Sequence, residues 1–225
     1  MKTYMCIGAG PRIGVATARR FGREGYRVVL VSRSARDNEF LAARFADEDI
    51  DVVFETADAS NPAEIASLMD RYADRPLDVV HYNAAAMRFD GTGALVMQGI
   101  ESQSTDELTT DITVNVSSAL VALAKVIPAM TTRGEGTILL TGGGLGVEPS
   151  ADLLTLSIGK AATRSIAQAL FEPLKAHGVH VATVRVSTLV ASDPEHPGRI
   201  AEAFWSLHAQ PAGAWTWETL YPVAD

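Results

Sequence analysis

Tyr4-Met5-Cys6-Ile7-Gly8-Ala9-Gly10-Pro11-Arg12-Ile13-Gly14 begins as a short apolar run and ends as a glycine-rich turn. Tyr4 to Gly8 reads as a strand, and from Gly14 to Glu24 the spacing of Val15, Ala18 and Phe21 is helical. The glycines therefore punctuate the passage from strand to helix. Glycine lets backbone N–H groups approach a diphosphate, and the helix N-terminus behind it presents the favourable end of its dipole. Gly8, Gly10, Arg12, Ile13 and Gly14 are candidate contacts for a dinucleotide. A tight turn that holds nothing would use the same glycines; their place in the first strand–helix unit favours the ligand.

The pattern repeats along the chain. Arg27–Ser32, Val52–Thr56, Leu77–Tyr82, Gly136–Thr141 and Val179–Val186 read as further strands, and helices are expected over 38–47, 62–72, 105–130, 153–175 and 198–208. Residues 90–104 are loop-like, and Trp215–Tyr221 is a short aromatic segment. Strands apolar on both faces and separated by helices imply a parallel sheet covered on both sides. The expectation is a single-domain α/β fold over 1–225, a doubly wound parallel sheet of Rossmann type, with a short substrate-side segment at about 191–225.

Composition narrows the partners. Nineteen basic and 27 acidic residues give a formal charge of −8, with no Lys/Arg-rich run. Nucleic acid and anionic membrane are therefore not expected, and a phosphate-bearing ligand must be held by a local arrangement. Cys6, the one cysteine, reads as inert packing inside a strand. With no leader at the N-terminus and no apolar run near the roughly 18 residues of a span, a cytoplasmic protein is expected. No metal site is expected.

The second strand ends Val31-Ser32-Arg33-Ser34. A carboxylate at this strand end would accept hydrogen bonds from the ribose hydroxyls of NAD. A hydroxyl and a guanidinium instead suit a 2′-phosphate, and Arg12 adds charge beside the same turn. Ser32 and Arg33 point to NADP(H); NAD(H) fits less well. A solvated surface arginine is the plainer reading of Arg33.

Further landmarks stand in order: Asp58-Ala59 after the third strand, Tyr82-Asn83-Ala84-Ala85 at the end of the fourth, Asn115 within Val114-Asn115-Val116, and Lys160 within Gly159-Lys160-Ala161-Ala162. From about Thr3 to Val190 the chain resembles the short-chain dehydrogenase/reductase family. The resemblance implies that Asp58 contacts adenine, that Ala59, Asn83, Ala84 and Ala85 line the cofactor, and that Asn115 and Lys160 are catalytic, with Lys160 also binding ribose. It implies a homodimer or homotetramer paired through the two long helices, the second of which, 153–175, carries apolar or small residues at Ala162, Ile166, Ala169 and Leu170. Taken singly, Asp58 reads equally as a helix cap, Asn115 as a core amide and Lys160 as a surface lysine.

The departures are as informative. Arg12 stands where the family usually has a second glycine, similar to the divergent enoyl reductases of fatty-acid synthesis. Four residues before Lys160, where the family has its catalytic Tyr, stands Leu156; seven before, the divergent spacing, stands Leu153. Thirteen before Leu156, at the place of the catalytic Ser, stands Gly143. Losing a general acid costs roughly 10²–10⁴ in rate and losing an oxyanion donor about 10²–10³. Thr141, Thr155 and Ser157 are the nearby hydroxyls, while Tyr82 and His81 read as packing and adenosine contacts. Two functions stay open: an NADP(H)-dependent oxidoreductase of a small carbonyl or activated alkene, and a catalytically degenerate NADP(H)-binding protein acting as sensor or partner subunit.

Overall fold

The computed structural model describes residues 1–222. Seven strands form one parallel sheet: β1 (Thr3–Ile7), β2 (Arg27–Ser32), β3 (Val52–Thr56), β4 (Val79–Tyr82), β5 (Gly136–Thr141), β6 (Val179–Val186) and β7 (Glu218–Tyr221). Their order is β3-β2-β1-β4-β5-β6-β7, so the chain reverses direction across the sheet between β1 and β4. The crevice outside the strands' carboxyl ends at such a reversal is where open α/β sheets hold ligands.

The helices are α1 (Ile13–Gly22), α2 (Asn38–Ala46), α3 (Pro62–Asp70), α4 (Thr105–Ile112), α5 (Ser118–Arg133), α6 (Leu154–Lys175) and α7 (His196–His208). One apolar cluster joins Met5, Val29, Val80 and Leu140 of the sheet to α3, α5 and α6; the other joins Tyr4, Val28, Leu30 and Leu139 to α1 and α7. Alternate residues of each buried strand thus supply opposite layers, as the pleat requires.

Two features differ from expectation, a seventh strand and an interrupted helix. The aromatic segment contributes a seventh strand, pairing Thr183–Val186 of β6 with Glu218–Tyr221. In the segment from Ala191, α7 packs against α1 and β7 extends the sheet edge, while 223–225 fall outside the described residues. The expected helix over 105–130 is interrupted by a π turn, Thr113–Ser117, which carries Asn115.

The stretch Thr105–Arg133 is also long and apolar enough, by length and composition, to cross a membrane, which its sequence was not expected to allow. Its apolarity serves the core: Ala119, Ala122, Leu123, Val126 and Met130 are buried against the sheet. Ser104 opens α4 with a reciprocal cap, its hydroxyl accepting from Glu107 N while the Glu107 carboxylate accepts from Ser104 N.

Candidate functional site: the carboxyl edge of the sheet

Gly8 ends β1 at φ +87°, and a Cβ there would lie 2.4 Å from Ala84 N. Both the left-handed backbone and the close approach of the β4 loop require glycine. Gly14 packs beneath the turn, where a Cβ would meet Ala9 Cα at 2.9 Å, while a Cβ on Gly10 would meet nothing within 4 Å. One face of the turn is therefore open. The N–H groups of Arg12, Ile13 and Gly14 have no protein acceptor among the described residues, leaving three donors at the N-terminus of α1.

Arg12 and Arg33 are exposed at this edge, and neither makes an ion pair among the described residues. Arg36, which sequence reasoning passed over, is likewise exposed and unpaired; the run Arg33-Ser34-Ala35-Arg36 was the available signal. Ser32 Oγ donates to Ser34 O at 2.8 Å, and Arg36 N donates to Ser34 Oγ at 3.1 Å, so the β2–α2 loop is folded on itself. In a chain of charge −8, most arginines are tied to carboxylates, including Arg19, Arg20, Arg23 and Arg27 nearby. Three open cations beside an open glycine turn fit a dinucleotide carrying an extra phosphate.

At the end of β3, Asp58 Oδ1 accepts from Ser60 N at 2.8 Å, and its own N–H donates to Glu64. Buried Ala59 gives its carbonyl to Ser118 Oγ at 2.6 Å. At the end of β4, Asn83 Nδ2 donates to Gly8 O at 2.7 Å. Ala84 touches Gly8, and Ala85 is half-buried beside it.

Asn115 is buried in the π turn. Its Oδ1 accepts from Ala86 N at 2.9 Å, and its Nδ2 has no partner. Gly159 of α6 presses on it; a Cβ on Gly159 would lie 2.5 Å from Asn115 Cβ. Next along α6, Lys160 Nζ donates to Thr141 O at 2.7 Å. Burial lowers the Lys160 ammonium from its ordinary value to about 8. Its aliphatic stem covers Gly143, where a Cβ would meet Lys160 Cγ at 3.0 Å. One helical turn earlier, Leu156 is buried at the wall of a recess that Ala86, Arg88, Leu95 and Leu153 also line.

The hydroxyls that could replace a phenol are all engaged. Thr141 Oγ1 donates to Asn83 Oδ1 at 2.8 Å, Thr155 Oγ1 to Asp111 Oδ2 at 2.7 Å, and Ser157 Oγ to Leu153 O at 2.9 Å. Tyr82 Oη donates to Val114 O at 2.6 Å, inside the π turn, and burial pushes its pKa well up. His81, read as packing and adenosine contact, is fully buried against Phe204 and bonds Tyr4. Sequence reading also missed an ion pair to a buried carboxylate: half-buried Arg88 meets both oxygens of Asp111, at 2.8 and 3.0 Å.

The structure thus unites Gly8, Asn83, Thr141 and Lys160 by direct hydrogen bonds, with Asn115 packed alongside. This is a crevice of the dinucleotide-binding type with a half-buried lysine and a buried amide at its far end.

Comparison with known proteins places the chain. Residues 2–193 match the short chain dehydrogenase family model, and the chain belongs to that family of oxidoreductases. It is 27% identical over 186 residues to an uncharacterised oxidoreductase of Staphylococcus aureus strain N315, covering 81% of this chain and 76% of that one. It is 28% identical over 192 residues to a very-long-chain 3-oxoacyl-CoA reductase of Coccidioides immitis, covering 84% of this chain and 53% of the relative. In fold it resembles a short-chain dehydrogenase from Rhodopseudomonas palustris (TM-score 0.85, 24% identity, 99% of both chains). A metagenomic short-chain oxidoreductase solved in complex with NADP is equally similar (TM-score 0.86, 24% identity, 97% and 96% covered).

Proposed function

We propose that this protein is an NADP(H)-dependent oxidoreductase, active in the cytoplasm on a small carbonyl compound or activated alkene, in which the Lys160 ammonium takes the place of a phenol as proton donor. The observation that carries the cofactor half is the trio of unpaired guanidiniums, Arg12, Arg33 and Arg36, beside the open glycine turn. The relative solved with NADP supports the same choice. When bound, the cofactor supplies the hydride.

The protein's own part is to orient the acceptor and protonate it. Lys160 Nζ holds protons beyond the one given to Thr141 O. As the substrate's C=O π bond opens, one Nζ–H bond breaks and an O–H bond forms, and the amine is reprotonated from solvent. A donor with pKa about 8 is charged at neutral pH yet gives up its proton readily. An activated alkene needs less help, because its charge is delocalised as an enolate. The unpartnered Asn115 Nδ2 is a second donor for the developing oxyanion.

The pH profile tests this. Lys160 is lowered to about 8, so the donor is present below that value and lost above it. Turnover of an enone with NADPH is expected to fall above about pH 8. The variant K160M should abolish it, and K160R should move the alkaline limb upward. A rate that keeps rising through pH 9 would rule Lys160 out as the acid.

A second reading, a cofactor-binding protein without turnover, is favoured by Leu156, Gly143 and the four engaged hydroxyls. Tight NADPH binding with no reduction across a broad ketone, aldehyde and enone screen would establish it.

A further inference from the structure

We propose that His81, held as its neutral Nε2–H tautomer, is a positioning residue that sets the glycine turn and Lys160 together through one directed chain of hydrogen bonds.

The direction of the chain follows from its far end. The Gly8 carbonyl can only accept, so the group facing it at 2.7 Å is the Asn83 amide Nδ2, and Oδ1 of the same side chain turns to Thr141. Thr141 Oγ1 donates its single proton to that oxygen. The hydroxyl must then accept from its other neighbour, His81 Nε2, at 2.8 Å. Nε2 therefore carries hydrogen. Nδ1, 2.7 Å from Tyr4 Oη, accepts the phenol's proton. Among the described residues no carboxylate bonds to the ring, which is fully buried against Phe204. Burial, reinforced by the charge of Lys160, pushes His81 down to about 3, in keeping with a neutral imidazole.

The chain has two outputs. Asn83 holds Gly8 O, the first carbonyl of the turn. Thr141, whose hydroxyl lies in the chain, offers its own carbonyl to Lys160 Nζ. Fixing one side chain on β4 thus orients the turn on one side and the lysine on the other. The binding half of this inference rests on reading the glycine turn as the NADP(H) site; the tautomer does not.

Long-range 1H–15N correlation spectra of the cofactor-free chain at pH 6–8 are expected to show His81 in the Nε2–H pattern. An Nδ1–H ring or an imidazolium there would overturn the assignment. Fluorescence titration with NADPH tests the coupling. T141V should weaken binding by about three- to tenfold, the worth of one buried hydrogen bond, and T141S should restore it. The pair Y4F/H81V removes both polar partners, so its Tm should stay close to that of the unmodified protein while the affinity loss persists. A folded Y4F/H81V protein with unchanged NADPH affinity would refute the positioning role. If the unmodified protein binds neither NADPH nor NADH, the cofactor reading falls, while the ring tautomer still decides the hydrogen-bond chain.

Discussion

Arg33 carries a specific expectation at the scale of single residues. It is exposed and unpaired, so removing it leaves no buried charge stranded. R33A is expected to weaken NADPH by about tenfold or more, the worth of a charge-assisted hydrogen bond, and NADH hardly at all. Equal losses, measured by fluorescence titration of both cofactors, would remove the 2′-phosphate from this edge. Leu156 invites the reverse experiment. L156Y puts a phenol one turn before Lys160 and is expected to raise ketone reduction at least tenfold, the low side of the roughly 10²–10⁴ a general acid supplies. G143S should add little, because its Cβ would meet the Lys160 stem at 3.0 Å and push it aside. The glycine turn could be read from its place between a strand and a helix, whereas Asn83, Asn115 and Lys160 were legible only through the resemblance to the family. The engagement of Thr155 and Ser157 could not, because it depends on which way a hydroxyl turns in three dimensions. Tyr4 and His81 are 77 positions apart, and no periodicity joins them.

Among the elements, the boundaries of β2, β5 and β6 match the apolar runs that predicted them, since strands buried on both faces leave a continuous signal, and half-buried β3 at one edge of the sheet was found from its Val-Val-Phe run. β7 lacked that signal. Glu-Thr-Leu-Tyr is short and lies at a sheet edge, where only β6 pairs with it. The π turn was invisible for another reason: Val114-Asn115-Val116 fits a regular helix equally well. What widens the helix there is tertiary, with Tyr82 bonding Val114 O and Gly159 pressing on Asn115. Y82F should therefore destabilise the protein by about 1 kcal/mol. Removing the cation with R88M, which leaves the buried Asp111 carboxylate without its charge partner, should cost more, about 3 kcal/mol. Urea midpoints at constant m-value would rank the two; a larger loss for Y82F would mean that the π turn, not the ion pair, anchors α4.

For the whole molecule, acid is the expected weakness. His81 and His208 are lowered by burial to about 3 and about 4, while an unfolded histidine titrates near 6.5. The unfolded chain therefore binds more protons between those values, and stability is lost as pH falls below about 6.5. Each histidine contributes a slope of up to about 1.4 kcal/mol per pH unit. Urea unfolding at pH 7.5 and 5 should show the decline, and Y4F/H81V should flatten it; a pH-independent midpoint would contradict this account. Leu120 on α5 and Ile158 on α6 are large apolar residues left exposed. Burying them in a pairing of the long helices would make a homodimer or homotetramer, and sedimentation at micromolar concentration should find one. A stable monomer would show that the apolar face of these helices serves the core alone.

The π turn bears on how this chain tolerates changes in length. A π turn takes up one residue more than a regular helix over the same span, so removing one residue from 113–117 would let a regular helix run through with α4 and α5 still facing as they do. Ala119, Ala122, Leu123 and Val126 would stay on the sheet, while Asn115 would lose the widened turn that sets it against Ala86 and Gly159. The core would survive the deletion and the crevice would not. Homologous chains that keep Asn115 should therefore align through this turn without gaps, however freely their side chains differ.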